Sequence, residues 1–185
     1  MIRINKEFLE YIVRLKNAEL QGVIIEKEAN VGQKIIGQQT KINAVYIISS
    51  GLTKCYLTED TGTDFIQEFF GEGEVFGEVE MFTNEFSFCS VEAITPLVYF
   101  RIAKSDFLNL IEKDFHFNSL VLKLMATKIK YTALRHSYNQ SHTLESNLNR
   151  LIGQFPELLT NIPKNDIANY LGISIRSLNR TLKYL

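Results

Sequence analysis

Three kinds of hydrophobic pattern follow one another along the chain. In residues 5–20, apolar side chains recur at the spacing of one helix face, and Asn5 is placed to cap that helix. These apolar residues are Phe8, Leu9, Ile12, Val13 and Leu15. From about Val23 to Phe100 the apolar runs become short, rich in Val, Ile, Phe and Tyr, and separated by glycines. This middle region predicts many short antiparallel strands in a sandwich or barrel.

Two glycine-containing segments place turns within the strand region. Thr61 and Gly62 lie between two strand-like runs and predict a hairpin. The segment AVYIISSGLTKCYL predicts a strand pair with Gly51 at its turn. Glycine spacing by itself indicates no function, because turn glycines are mostly structural.

After Ser105 the pattern becomes helical again. A short helix from Ser105 is expected to close the sandwich, and a long helix without Pro or Gly follows from about His116 to Asn139. One of its faces carries Leu120, Leu124, Tyr131 and Leu134. A second seam, at spacings of 4, 3, 4 and 3, carries Leu122, Ala126, Ile129, Ala133 and His136. Such a seam is typical of a coiled coil and favours a dimer, although a core helix serving only its own chain is the alternative.

Residues 140–162 connect the long helix to the last part of the chain. Thr143 or Ser141 is placed to cap a further helix, which Gly153 and Pro156 end. The apolar residues of that helix are Leu144, Leu148, Leu151 and Ile152. Leu158 and Leu159 are expected to pack under the unit that follows.

The last stretch, Pro163 to Leu185, predicts two short helices joined by a tight turn. The first opens at Lys164 or Asn165 and ends at Gly172, where a positive φ is favoured, and Ser174 is placed to cap the second. The second helix has an apolar stripe of Leu178, Leu182 and Leu185 and a cationic face of Arg176, Arg180 and Lys183. This is the pattern of a helix-turn-helix, whose second helix fits the major groove of DNA. An ordinary helical hairpin with solvated cations is the alternative.

The charge distribution supports a two-part organisation. The whole chain has 20 Lys and Arg against 21 Asp and Glu, a net charge of −1. Residues 1–114 contain 11 basic and 18 acidic residues, a net −7, whereas residues 115–185 contain 9 and 3, a net +6. An acidic N-terminal part followed by a basic C-terminal part is typical of a sensor or scaffold joined to a domain that binds polyanions.

Several classes of protein are disfavoured by the composition. Cys55 and Cys89 are too few for a disulfide-rich secreted scaffold, a zinc finger or a four-thiolate iron–sulfur site, and they are expected to be buried free thiols. The histidines, His116, His136 and His142, all lie outside the strand region, which argues against a cupin-like metal enzyme. No P-loop or nucleophile elbow is present. No catalytic residue, metal or cofactor is therefore expected.

Two further observations suggest a location. The N-terminus lacks the pattern of a signal peptide, and no apolar run reaches the ~20 residues needed to span a bilayer. A reducing cytoplasm and no membrane partner are therefore expected.

The order of parts (helix, β-roll, long helix, helix-turn-helix) resembles the Crp/Fnr family of bacterial transcription regulators. The likeness is carried by AVYIISSGLTKCYL, by GEGEVFGEVEMF and, most specifically, by IPKNDIANYLGISIRSLNRTLKYL. The resemblance implies an α+β fold: an N-terminal antiparallel β-roll of the double-stranded β-helix or jelly-roll type, a long dimerisation helix and a C-terminal winged helix-turn-helix. The expected domains are residues 1–114, 115–140 and 141–185. Members of the family follow the recognition helix with a β-hairpin wing, which is expected to be absent here or to lie beyond Leu185.

The resemblance also implies which residues meet DNA. Arg180 matches the family's base-reading arginine, whereas Arg176 stands where many members have an acid and Ile175 where many have a second arginine. The candidate DNA-binding residues are Ser174, Arg176, Ser177, Asn179, Arg180 and Lys183. The sequence read by this protein is therefore expected to differ from that of the best-known members.

The effector pocket departs further from the family pattern. The candidate pocket residues are Phe76, Gly77, Glu78, Val79, Ser87 and Phe88. Gly77 and Glu78 match the family's Gly-Glu motif, but Ser87 and Phe88 stand where cyclic-nucleotide-binding members have the Arg-Ser pair that grips the phosphate. The segment is also surrounded by Glu72, Glu74, Glu78, Glu80 and Glu85, the wrong charge for a phosphate. Cyclic AMP binding in the usual mode is not expected. We interpret the roll as a domain that binds a different effector or none.

The expected function is therefore a homodimeric, sequence-specific, DNA-binding transcription regulator, not an enzyme. Its expected partners are double-stranded DNA on a pseudo-palindromic site and a second copy paired through residues 115–140. An unknown small-molecule effector and RNA polymerase are open further partners. The alternative is a dimeric ligand-binding adaptor that does not itself read DNA.

Overall fold

The computed structural model describes residues 2–18, 20 and 22–183. The chain divides into two compact units, one spanning Ile2–Leu110 and the other beginning at Ile111. The division into three parts expected from the sequence stays a prediction. The α+β architecture with an antiparallel roll is confirmed.

The first unit is built mainly of short strands. Its strands are β1 Ile2–Arg3, β2 Ile25–Ala29, β3 Lys34–Ile36, β4 Ala44–Ser50, β5 Thr53–Thr58, β6 Asp64–Phe70, β7 Val75–Phe76, β8 Ser90–Ala93 and β9 Leu97–Ala103. Its helices are α1 Lys6–Ala18 and α2 Glu78–Thr83, and α3 Lys104–Lys113 begins in it. Within the described residues, one sheet has the order β1-β6-β5-β8-β3 and the other β2-β9-β4-β7.

Two turn predictions have different outcomes. The hairpin at Thr61 and Gly62 is confirmed, because β5 and β6 pair antiparallel on either side of it. The predicted strand pair around Gly51 is wrong, since β4 and β5 belong to different sheets. Gly51, with φ 95°, lies where the chain passes from one sheet to the other. A glycine between two strand runs marks a change of direction, and the sequence does not say whether the strands then pair.

The roll has an aromatic and aliphatic interior. Phe76 stacks on Tyr46 with ring centroids 5.2 Å apart and on Phe70 at 6.5 Å. Cys55 and Cys89 are buried free thiols in the same core, as expected.

The first residues are fastened to the roll. β1 pairs parallel with the end of β6, and Arg3 forms a buried ion pair with Glu74 at 3.0 Å. The predicted cap of α1 is confirmed, because Asn5 Oδ1 accepts a hydrogen bond from the Phe8 amide. Val13, at the same helical spacing, is 37% exposed.

The second unit is helical. Its helices are α4 Phe115–Ser141, α5 Leu144–Gln154, α6 Leu158–Asn161, α7 Lys164–Leu171 and α8 Ile175–Leu182. Asp114 caps α4 by accepting from the amides of His116 and Phe117, and Thr143 caps α5 as predicted. Leu158 is buried, but Leu159 is 39% exposed and does not take the packing role expected of it.

The long helix α4 exposes the predicted seam. Leu122 and Ile129 are 64% and 70% exposed, whereas Leu120 and Leu124 on the other face are buried. Leu134, which was expected on the same face as Leu120 and Leu124, is 43% exposed. Between Leu122 and Leu134, α4 therefore presents apolar side chains to solvent in a single chain.

Candidate functional site

The helix-turn-helix forms as the sequence predicts. α7 opens at Lys164 and is followed by Gly172 at φ 68°, a left-handed conformation that glycine adopts without steric cost. The amides of Gly172 and Ile173 turn back to carbonyls of α7, closing its last turn. Ser174 then caps α8, its hydroxyl accepting from the Ser177 amide at 3.1 Å. These local bonds set the start of the second helix.

One face of α8 is buried and the other is cationic. Leu178 is fully buried and Leu182 partly so, while Leu185 lies outside the described residues. Arg176, Arg180 and Lys183 are exposed on the opposite side, and α8 contains no acidic residue. Five of the six predicted DNA-binding residues line one open concave surface, namely Arg176, Ser177, Asn179, Arg180 and Lys183. Ile175 also lines this surface, whereas Ser174 does not.

The geometry of this face suits a polyanion. Ser174 and Ser177 bond to each other through their hydroxyls at 3.1 Å, at the helix start where free amides and the helix dipole favour negative charge. The arginines at positions 176 and 180 are one helical turn apart and therefore point the same way. Exposed guanidinium groups in this arrangement can bond guanine edges or phosphates with paired hydrogen bonds.

The first half of the candidate effector site is largely buried. Phe76 belongs to the aromatic core rather than to an open surface, and Gly77 follows it at φ 89° and precedes α2. Glu78, the first residue of α2, is 2% exposed, and Val79 is half-buried.

The second half of the candidate effector site contains no cation. Ser87 is 2% exposed, and its hydroxyl donates to the Cys89 carbonyl at 2.7 Å. Its backbone pairs with the segment that precedes β4, because Ser87 N–H donates to Thr40 O at 2.9 Å and Ser87 O accepts from Gln39 N–H at 2.6 Å. Phe88 is more than half exposed, so the structure does not bring its ring into the core beside Phe76.

The acidic residues expected around this site have different roles. Glu74 is committed to Arg3 in the buried ion pair, so its place in the acidic surroundings of the pocket is corrected. Glu78 and Glu80 are buried, while Glu72 and Glu85 are exposed. Residues 70–90 contain five Glu and no Lys or Arg. From outside this segment, Lys104 reaches Asn84 at 2.9 Å.

Among the residues that the structure describes, no group of three or more His, Cys, Asp or Glu is arranged to hold a metal ion. In the same residues no helix is both long and apolar enough to cross a bilayer.

Sequence reasoning missed a contact that fastens the helix-turn-helix. Arg135 of α4 lies 4.0 Å above the Tyr170 ring and donates from Nη2 to the Tyr170 carbonyl at 3.0 Å. Arg150 of α5 lies 4.0 Å above the Tyr138 ring of α4. Arg135 and Tyr170 are 35 residues apart, so no local pattern could have indicated the pair.

The chain is similar to one protein family and to several solved structures. Residues 26–114 match the cyclic nucleotide-binding domain family. A search of curated proteins finds no match. Similar solved structures include FixK2 from Bradyrhizobium japonicum, with a TM-score of 0.78, 18% identity, and coverage of 88% of this chain and 84% of that one.

Two further structures cover almost the whole chain. The global regulator CLP of Xanthomonas campestris aligns with a TM-score of 0.73 and 13% identity over 97% of this chain and 91% of CLP. A protein from Eubacterium rectale assigned to the Crp/Fnr family of transcriptional regulators aligns with a TM-score of 0.73 and 15% identity, over 98% of this chain and 83% of that one. Residues 26–114 are therefore similar to the cyclic nucleotide-binding domain family, and the chain is similar in fold to FixK2, CLP and the Eubacterium rectale protein.

Proposed function

We propose that this protein is a sequence-specific DNA-binding transcription regulator that acts in the bacterial cytoplasm as a homodimer. The observation that carries the proposal is the exposed face of α8, where Arg176, Arg180 and Lys183 project from a helix whose other side is buried through Leu178. A helix presented in this way enters the major groove, and its cations bond base edges and phosphates. The fold that the chain shares with Crp/Fnr regulators agrees with this role.

Within the proposed interface the side chains have different tasks. Arg176 and Arg180 read bases, because a guanidinium can form two parallel bonds to a guanine edge. Ser174, Ser177, Asn179 and Lys183 contact phosphates, which position the helix without carrying sequence information.

Dimerisation is proposed through the seam of α4. Leu122 and Ile129 are 64% and 70% exposed at heptad-like spacing, and burying both against a second copy removes apolar surface from water. Two paired long helices would place the recognition helices roughly 34 Å apart, on successive major-groove faces of one side of the duplex.

Selection of DNA from a random pool, with binding checked at two salt concentrations, tests the DNA proposal. An enriched inverted repeat with half-sites about one helical turn apart is expected. Weak, sequence-blind and strongly salt-dependent binding would contradict it and would favour the second candidate, a dimeric ligand-binding adaptor. That second candidate draws on the match of residues 26–114, since this unit is the ligand-binding part of the architecture.

Sedimentation of matched variants tests the dimer. Ile129→Lys places a charge in the seam and is expected to shift the protein towards monomer, because burying a charged side chain against a second copy costs free energy. Val31→Lys makes the same change at an apolar side chain that is 62% exposed in the roll and serves as the control. Equal dimer fractions in both variants would exclude the seam of α4 as the interface.

The roll is proposed to respond to an effector other than cyclic AMP, or to none. The candidate phosphate position offers the enclosed hydroxyl of Ser87 and no cation within residues 70–90. CLP, which has the same fold, is a c-di-GMP responsive regulator, so the architecture is not tied to one nucleotide. Calorimetric titration with cyclic AMP is expected to give no saturable binding, and micromolar binding would overturn this part of the proposal.

A further inference from the structure

The helix that leads into the proposed recognition helix is anchored by a cation from α4. α7 ends in a turn in which the Gly172 amide bonds the Asn169 carbonyl and the Ile173 amide bonds the Ala168 carbonyl. This closing pattern leaves the carbonyls of the last helical residues without helical partners. The Tyr170 carbonyl lies in this last turn, and it accepts a hydrogen bond from Arg135 Nη2 at 3.0 Å.

Arg135 makes two contacts with the same residue. Its guanidinium bonds the Tyr170 carbonyl and also lies 4.0 Å from the centroid of the Tyr170 ring, which is almost fully buried. A planar guanidinium can stack and donate at once, which a lysine ammonium cannot. Its positive charge also lies at the C-terminal end of α7, where the helix dipole is negative. The end of α7 is therefore held at a fixed point on α4.

A second stacked arginine holds the neighbouring helix to the same part of α4. Arg150 of α5 lies 4.0 Å above the ring of Tyr138. Arg135 and Tyr138 are three residues apart and therefore share one face of α4. This face differs from the seam carrying Leu122 and Ile129, so the two can be occupied at the same time.

We propose that Arg135 is a positioning residue that fixes the orientation of the helix-turn-helix on α4 and so sets which half-site spacing the dimer accepts. The inference rests on the proposed function. Arg135 is not among the residues proposed to contact DNA, and its guanidinium contacts Tyr170, so its replacement is expected to leave the affinity of one recognition helix for one half-site unchanged. It acts only when two helices must engage one duplex together, because simultaneous engagement is lost when the geometry does not match.

The test compares Arg135→Gln with Lys130→Gln. Both remove one positive charge from α4, and Lys130 is exposed on the same helix. Binding is measured to the selected inverted repeat, to repeats whose centre is longer or shorter by one or two base pairs, and to a single half-site. Wild type and Lys130→Gln are expected to prefer the selected spacing by about 100-fold, and Arg135→Gln by about tenfold or less. Half-site affinity is expected to agree among the three proteins within about twofold.

Two results would overturn the proposal. One is an unchanged spacing preference in Arg135→Gln, and the other is a fall in half-site affinity that accounts for the whole loss. Should Arg135→Gln fail to fold by circular dichroism, Arg135→Lys takes its place, with the same direction expected and a smaller effect.

Amide exchange without DNA separates this proposal from the proposed function. The amides of Gly172 and Ile173 are expected to exchange about tenfold faster in Arg135→Gln than in Lys130→Gln, because their turn has lost its anchor. Equal rates would overturn the anchoring role even if the protein reads DNA. A wild type that selects no DNA sequence would overturn the proposed function, and with it the spacing role, while faster exchange would still establish the anchor.

Discussion

The buried ion pair between Arg3 and Glu74 gives the sharpest stability prediction. The two side chains are 5% and 4% exposed, and their charged atoms are 3.0 Å apart. Glu74→Gln removes the carboxylate charge that faces the buried Arg3 guanidinium, and breaking a buried ion pair costs about 3–5 kcal/mol. Because Gln keeps an oxygen that can accept from Arg3, a loss near the lower end, about 3 kcal/mol, is expected.

The matched control is Glu26→Gln. Glu26 also pairs with a cation, Lys16, but its side chain is half exposed, and surface pairs contribute about 0–1 kcal/mol. Urea unfolding at a fixed protomer concentration, with amide exchange of β1 and β6 reporting on the first unit, measures both variants. Losses that agree within about 0.5 kcal/mol would refute the argument that burial sets the cost. Replacing Arg3 and Glu74 together by Met is expected to cost less than Glu74→Gln alone.

The remaining predictions concern a turn, the proposed recognition helix α8 and one tyrosine. In urea unfolding, Gly73→Ala should lower the free energy of unfolding by about 2 kcal/mol more than Gly32→Ala. Both glycines have a positive φ, but only at Gly73 would a Cβ overlap a backbone carbonyl. Equal losses would contradict this. Arg180→Ala should lose about 1–3 kcal/mol of binding at a cognate site and relax one base preference, and equal losses on all sequences would remove its base-reading role. Lys183→Ala should weaken every sequence alike and lower the salt slope by about 1, and an unchanged slope would remove it from the phosphate contacts. Burial and a hydrogen bond to a carboxylate raise the pKa of Tyr56 in the folded protein. The contribution of Tyr56 to the free energy of unfolding is therefore fully present below about pH 10 and is lost as the pH rises through the raised pKa of the folded state. A tyrosine titration that Tyr56→Phe leaves unchanged at its alkaline end would contradict this.

The helix-turn-helix could be predicted almost completely from local sequence. Its turn depends on Gly172 and its second helix on the Ser174 cap, and both are short-range signals. Leu178 marks the buried side of α8 and thereby the exposed cationic side. Such signals are readable because each depends on residues within one or two helical turns.

For the candidate effector site, the sequence showed only that the phosphate-binding arginine of the family is missing. The missing arginine before Phe88 was visible in the sequence, but the bonds that Ser87 makes to Cys89 and to the segment before β4 were not. The same holds for Glu74, which a charge count placed near the candidate site and which the fold pairs with Arg3. The sequence gives the sign of each charged side chain but not its partner in the fold, since such partners can be distant in sequence.

By itself, the sequence determined the order of helical and strand regions, the caps at Asn5 and Ser174, and the separation of an acidic roll from a basic helical part. These follow from periodicity, turn chemistry and composition, which act over a few residues. The tertiary structure decided which strands share a sheet across Gly51, which acid neutralises Arg3, and that Arg135 anchors the end of α7. Each of these joins groups at least 35 residues apart or depends on which of two sheets a strand enters. Only the packed chain fixes such pairings, because local propensity does not distinguish among the many partners that a strand or a charged side chain could take.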